Sequence, residues 1–196
     1  MADITGVLLA AGFSRRFGAG KFHGKLLYEL DHQPLIAHTA AALAPCDRIV
    51  AVVRADDVVL QSVLRTLDVD CVLNPEPSRG MGYSIACAIQ ETTPTSLRGG
   101  WCLLPADMPY VKAKTTQQLV DALLVGSDLA APFYQGRRGH PVAFSSRYRA
   151  SLAALDGDTG ARLILQQHAD RLTAIASDDA GVLADIDVVA DLYATS

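Results

Sequence analysis

Residues 4–27 read ITGVLLAAGFSRRFGAGKFHGKLL. The opening run, Ile4–Ala10, is short and continuously apolar, which suits a strand buried on both faces. Behind it, residues 8–25 hold four glycines, two arginines, two lysines and a serine. Glycine lets a backbone turn tightly and present its N–H groups, while Arg and Lys neutralise charge, so the loop reads as a phosphate cradle. A solvated surface loop is the other reading of such a stretch. Spacing excludes two familiar cradles. A G-x-x-x-x-G-K-[ST] loop needs glycine where Arg15 stands and Ser or Thr where Phe22 stands, and the second Gly24-Lys25 pair fails at Ala19 and Leu26. A dinucleotide fingerprint built on Gly18-Ala19-Gly20 needs a third glycine at His23.

Outward from this stretch, apolar runs alternate with amphipathic segments. Strands are predicted at Arg48–Val53, Asp70–Leu73, Trp101–Leu104, Asp128–Ala131, Pro141–Phe144 and Leu172–Ala176. Helices are predicted at Pro34–Leu43, Asp56–Leu67, Tyr83–Gln90, Thr115–Leu124, Ser146–Leu155, Gly160–His168 and Val188–Tyr193, the first of them starting on its proline. This alternation predicts an α/β chain: one three-layer domain over residues 1–196, with a doubly wound, mostly parallel sheet covered by helices on both faces. Ligands of such sheets bind beyond the carboxyl ends of the strands, where residues 12–25, Asp107 and residues 136–141 fall.

Composition narrows the function classes. The 196 residues carry a formal net charge of −4 and lack the basic footprint of a nucleic-acid binder. Arg15, Arg16, Lys21 and Lys25 therefore suit a small anionic ligand better than DNA. The four cysteines, Cys46, Cys71, Cys87 and Cys102, form no C-x-x-C pair, which argues against zinc or a disulfide framework. No apolar run reaches the ~18 residues of a membrane span, and Asp3 sits where a signal peptide would be basic. A cytoplasmic protein is expected.

Three further motifs carry chemistry. Arg79-Gly80-Met81-Gly82-Tyr83-Ser84 precedes a predicted helix, whose N-terminus attracts anions or polar ligand groups; Ser84 is also readable as a plain N-cap. Leu103-Leu104-Pro105-Ala106-Asp107-Met108-Pro109 ends an apolar strand on a carboxylate between prolines, which suits a Mg²⁺ ligand but also a turn residue. Residues 135–141, QGRRGHP, place two arginines and a histidine on a glycine-bracketed loop, fit for a phosphate-bearing acceptor or simply solvated. Ser84, Asp107 and His140 also run in the order of an α/β-hydrolase triad, although Ala86 replaces the last glycine of the nucleophile elbow.

The series Leu9, Ala11, Gly12, Ser14, Arg16, Gly18 and then Lys25-Leu26-Leu27 resembles the signature of the MobA-like nucleotidyltransferases. The likeness continues through the G-M-x-x-S element at Ser84, P-x-D-x-P at Asp107, GRRGHPVAF at residues 136–144 and GDTGAR at residues 157–162, and so covers most of the chain. It departs in about four extra residues between Gly18 and Lys25, which leaves Lys21 as a rival to Lys25 for the family lysine. The tail DIDVVADL carries Val188 and Val189 where the family has Thr-Pro.

The resemblance implies a Rossmann-like nucleotide-diphospho-sugar transferase fold and transfer of a nucleoside monophosphate from an NTP, with Mg²⁺, to a phosphorylated acceptor. It implies catalytic roles for Arg16, Lys25 and Asp107. Nucleotide contacts fall to Leu9, Ala10, Ala11, Gly12, Ser14, Arg15, Gly18, Lys25, Gly82 and Ser84. Acceptor contacts fall to Arg138, Gly139, His140 and Pro141, and metal contacts to Asp107 with Asp187, or with Asp185 in its place. Ala10-Ala11-Gly12 resembles the cytidylyl branch rather than the Ala-Gly-Gly of the guanylyl branch, and GDTGAR points the same way. The expectation is transfer of CMP from CTP to molybdopterin, with a molybdoenzyme as client and neither nucleic acid nor membrane as partner. The alternatives are a guanylyl or sugar-phosphate transferase, a non-catalytic cofactor maturation factor, and a serine hydrolase.

Overall fold

The computed structural model describes residues 3–13, 24–94, 99–188 and 190–191. β1 (Ile4–Leu9) leads through the short helical turn Lys25–Leu27 to a small hairpin, β2 (Glu29–Leu30) and β3 (Gln33–Pro34). Then follow α1 (Leu35–Ala42), β4 (Arg48–Arg54), α2 (Val58–Thr66), β5 (Asp70–Asn74), α3 (Met81–Glu91), β6 (Gly100–Pro105) and α4 (Ala113–Leu124). β7 (Leu129–Tyr134), β8 (Arg137–Arg138), β9 (Val142–Ser145), α5 (Arg149–Ala153), α6 (Arg162–Gln167) and β10 (Leu172–Ala176) complete the order.

The main sheet has eight strands in the order β10-β7-β9-β6-β1-β4-β5, with β8 paired to β7. β1 lies between β4 and β6, parallel to both, with Leu9 opposite Val52 and Pro105. β9 runs antiparallel to β6 and β7, so the sheet is mixed but mostly parallel. Leu8 faces a core shared with Leu35, Leu60, Leu64 and Leu119 of α1, α2 and α4. Its neighbour Val7 faces Ile85, Ile89, Leu152 and Leu165 of α3, α5 and α6. That two-residue alternation with both faces dry explains why β1 reads as an unbroken apolar run. Trp101 is fully buried on the second face and donates its indole N–H to the carbonyl and hydroxyl of Thr92.

Several sequence-based boundaries shift. Pro34 is the N-cap of α1, with extended ψ 141°, because it still pairs with Glu29 across the small hairpin. α3 starts at Met81, so the Gly-Met-Gly element forms the first helical turn instead of preceding it. The predicted helix Ser146–Leu155 divides into a 3₁₀ turn, Ser146–Tyr148, and the short α5. The two-residue strands were too short to carry a periodic signal, and much of the predicted helix 188–193 lies outside the described residues. Among the described residues no helix is long and apolar enough to cross a membrane.

Candidate functional site

The site lies at the carboxyl edge of β1 and β6, and backbone hydrogen bonds fix the first residue past each strand. Ala10 N–H donates to the Val52 carbonyl and Ala106 N–H to the Leu9 carbonyl. The Ala106 carbonyl in turn accepts from the buried Thr39 hydroxyl of α1 at 2.9 Å. Asp107 is therefore held by its own strand, and its carbonyl accepts Ile186 N–H at 2.9 Å, which draws the C-terminal DID segment alongside.

Lys25 enters this corner from the turn after Gly24. Its ammonium is buried, 2.6 Å from Asp107 Oδ2 and 3.9 Å from Asp187 Oδ1. A buried ammonium without a partner is costly, so the carboxylates hold it there. Two carboxylates converging on one point are a hard-oxygen donor pair of the kind Mg²⁺ uses together with substrate phosphates and water. Among the described residues no group of three or more His, Cys, Asp or Glu is placed to hold a metal unaided. The fit is to a metal that arrives with a phosphorylated ligand.

On one side of Asp107 opens a cleft of about 330 Å³, whose lining includes Leu9, Ala11, Gly12, Ser84 and Asp158. Ser84 is buried; its hydroxyl accepts from Asn74 Nδ2 at 2.9 Å and reaches the Gly80 carbonyl at 3.4 Å. The GDTGAR loop forms part of the wall. Gly80 has φ +94° and a Cβ there would stand 2.6 Å from the Gly157 carbonyl carbon, so only glycine permits the approach. Gly82 N–H donates to the Gly157 carbonyl at 2.7 Å. Arg79 clamps Asp156 through two hydrogen bonds, 3.2 and 2.9 Å, and so holds its carboxyl below the usual carboxylate range.

On the other side lies a cavity of about 440 Å³ lined by Asp107, Arg138, Gly139, His140, Asp185 and Asp187, among others. Arg138 is carried on the β7–β8 hairpin, whose two-residue turn, Gln135-Gly136, has φ of 49° and 76° as such hairpins require. Gly139 presses against Val182, where a Cβ would come within 2.4 Å of the carbonyl oxygen, and His140 N–H donates to that same carbonyl at 2.9 Å. Burial, and then the Arg138 charge, lower the His140 pKa, so the ring is neutral at pH 7. Its Nδ1 is shielded from solvent without a hydrogen-bond partner.

The Val182 wall hangs on Asp179. This 1% exposed carboxylate accepts Lys112 N–H at 2.8 Å, Thr115 Oγ1 at 2.7 Å and Gly181 N–H at 3.0 Å. It ties the start of α4 to the segment that delivers Asp185 and Asp187. Sequence reading missed Asp179, and its only signal, a Ser-Asp-Asp-Ala-Gly cluster, is that of an ordinary turn.

Of the expected site residues, the structure gathers Leu9, Ala11, Gly12, Lys25, Ser84, Asp107, Arg138, Gly139, His140 and Asp187 around one edge. Ala10 faces the α1-side core, although it also lines a neighbouring cavity beside Lys25. Gly82 is not among the cleft's lining residues; its N–H is taken by Gly157, and a Cβ there would strike the Asp156 backbone at 2.6 Å, so it serves packing. Pro141 is buried behind His140 across a cis peptide. Ser14, Arg15, Arg16, Gly18 and the rival Lys21 lie outside the described residues. The hydrolase arrangement is not formed: Ser84 sits within α3 and bonds Asn74 and Gly80 rather than a histidine, whereas an elbow serine stands on the strand-to-helix turn.

A model of the MobA-like NTP transferase domain matches residues 6–172. Nicotine blue oxidoreductase of Paenarthrobacter nicotinovorans is 28% identical over 97% of this chain and 95% of its own length. Among solved structures, Rv0371c from Mycobacterium tuberculosis superposes with a TM-score of 0.80 at 24% identity, covering 98% of this chain and 97% of that one. A nucleotidyl transferase from Methanothermobacter thermautotroptrophicus gives 0.80 at 19% identity, over 97% and 94%. At these identities the two structural likenesses speak for the fold, which is that of the Rossmann-like NTP transferases.

Proposed function

The chain belongs to the MobA-like NTP transferase family, and from that premise we propose that it transfers CMP from CTP to the phosphate of molybdopterin, releasing pyrophosphate. The observation that carries this reading is the corner where Lys25, Asp107 and Asp187 meet between a nucleoside-sized cleft and a second, arginine-rimmed cavity. One strand edge thus offers a place for each substrate and charged groups between them.

In the proposed reaction an acceptor phosphate oxygen attacks the α-phosphorus of CTP in line. The new P–O bond forms as the bond to the β-phosphate breaks, and the electron pair leaves with pyrophosphate. No protein nucleophile is required, because the acceptor is already anionic; rate comes from positioning and charge neutralisation. Lys25 exchanges its Asp107 partner for triphosphate oxygens, with Arg15 and Arg16 assisting. Backbone groups of Ala11 and Gly12 and the Ser84 hydroxyl hold the nucleoside. Arg138 and neutral His140 orient the acceptor. Mg²⁺ would be held by Asp107 and Asp187 and would neutralise charge on the phosphates.

The name of the Paenarthrobacter relative denotes a redox reaction, in which no nucleotidyl group moves, and NTP titration separates the two readings. Thermal stability is measured with each NTP, with and without Mg²⁺; a ligand at a hundred times its Kd adds about 2.7 kcal/mol. Stabilisation by Mg·CTP, followed by CMP transfer to molybdopterin, is expected. A shift with GTP, UTP or TTP instead moves the assignment to the guanylyl or sugar-phosphate branch, and no shift with any of them overturns the transferase reading. Asp107→Ala is expected to lower transfer at least a hundredfold, since a metal contributes several kcal/mol of charge stabilisation. Full activity in that variant would remove Asp107 from the mechanism.

A further inference from the structure

β4 runs beside β1, and its last residue, Arg54, reaches across to the loop that leaves β1. The guanidinium uses all three of its nitrogens. Nη1 donates to the Gly12 carbonyl at 3.1 Å, Nη2 to Asp57 Oδ2 at 3.0 Å and Nε to Asp56 Oδ1 at 3.1 Å. Its central carbon lies 5.5 Å from the centre of the Phe13 ring, within cation–π range. The side chain is 21% exposed. The segment that carries it is tied from behind, because the buried Gln61 amide donates to the Arg54 and Ala55 carbonyls at 3.1 and 3.2 Å.

Packing does not fix this part of the loop: among the described residues, a Cβ at Gly12 would meet nothing within 4 Å. Gly12 and Phe13 line the nucleotide cleft on one side and, on the other, a cavity of about 240 Å³ shared with Arg54, Gly24 and Lys25. Arg54 lines only the second, so its hydrogen bond turns the Gly12 carbonyl away from the cleft. A carbonyl oxygen facing the cleft would repel a polyphosphate, whereas backbone N–H groups attract one. In a trans peptide the carbonyl and the next N–H point opposite ways, so the same bond sets the direction of the Phe13 N–H. Asp56 and Asp57 offset the Arg54 charge, which suits a group that orients backbone rather than one that binds phosphate itself.

We propose that Arg54 is a positioning residue for triphosphate binding: it holds the Gly12–Phe13 peptide with its carbonyl facing away from the nucleotide cleft. The loop then meets phosphate oxygens with its backbone already set, and less of the binding free energy is lost to ordering it. The proposal rests on the reading of the cleft as an NTP site. It adds to that reading a residue that touches neither substrate nor metal and acts through Gly12.

The test titrates inorganic tripolyphosphate with Mg²⁺, which probes the phosphate cradle without a base, and Mg·CTP into the full chain by calorimetry. Arg54→Met keeps the aliphatic stem and loses every donor. It is expected to weaken both ligands about tenfold, the size of one hydrogen bond to a charged group. Asp57→Asn breaks the ion pair with Arg54 but keeps an oxygen for the N-cap of α2 and leaves the Gly12 contact in place. It is expected to lower the urea midpoint, as Arg54→Met does, and to weaken neither ligand. Unchanged affinity in Arg54→Met, equal weakening by Asp57→Asn, or no binding of Mg·tripolyphosphate to the wild type each overturns the proposal. If the wild type binds Mg·tripolyphosphate but not Mg·CTP, and Arg54→Met weakens it, the CTP reading falls and the positioning role stands. If the wild type binds both and Arg54→Met is indifferent, the positioning role falls and the CTP reading stands.

Discussion

Replacing Lys25 and Asp107, singly and together, measures how strongly the site's charges depend on each other. The ammonium and carboxylate stand 2.6 Å apart, with side chains 8% and 25% exposed. An exposed pair contributes about 0–1 kcal/mol, and breaking a fully buried one costs about 3–5 kcal/mol. Lys25 resembles the buried case and Asp107 an intermediate one, which places the coupling energy at about 1–3 kcal/mol. Asp187 lies farther away, at 3.9 Å, and its side chain is 40% exposed, so water screens most of its share. Lys25→Met leaves two carboxylates facing one another, and Asp107→Leu leaves a buried ammonium without its nearest partner. Each single variant should lose about 2–3 kcal/mol, and Tm should fall about 4–12 °C at roughly 2–4 °C per kcal/mol for a chain of this size. The double variant should lose less than the sum of the two. Urea unfolding followed by circular dichroism gives the three differences at constant slope. A coupling below about 0.5 kcal/mol, the scatter expected of independent sites, would refute the view that burial makes this pair strong.

Three further outcomes follow from the same geometry. Gly80→Ala should destabilise by about 2–3 kcal/mol and weaken Mg·CTP stabilisation, because φ +94° and the 2.6 Å approach to the Gly157 backbone both resist a side chain; unchanged urea midpoints would show that the loop gives way freely. Asp179→Ala should cost about 3 kcal/mol or more by orphaning its three donors, and hydrogen exchange should rise at Lys112 and Gly181. If protection there stays constant, Asp179 is not what fastens the segment. For His140, burial lowers the folded-state pKa below the ordinary 6.5, so the unfolded chain takes up the proton first. Its neutral ring therefore contributes stability in full above about pH 6.5, and that contribution is lost as pH falls toward the folded value. The stability difference between wild type and His140→Gln should shrink over that interval, and a difference independent of pH would contradict the burial argument.

The strand–helix alternation was legible because it follows from local physics. A strand dry on both faces must be apolar throughout, and glycine, proline and charge gather where the chain turns. β1 and Asp107 just past the end of β6 are readable from composition and spacing alone. The Gly-Met-Gly element was misplaced because glycine ordinarily breaks helices; here Gly80 and Gly82 leave room for the Asp156–Asp158 backbone, a contact invisible along the chain. The antiparallel sense of β9 was likewise hidden, since a short buried strand has the same composition in either direction. Tertiary structure alone decided that Lys25 is buried between Asp107 and Asp187, that Asp179 fastens the segment carrying the latter, and that His140 keeps Nδ1 unpartnered. Sequence sets which side chains can carry charge or donate a proton. Which of them meet, and how far from water, depends on contacts between residues remote in the chain, and local propensity holds no record of those.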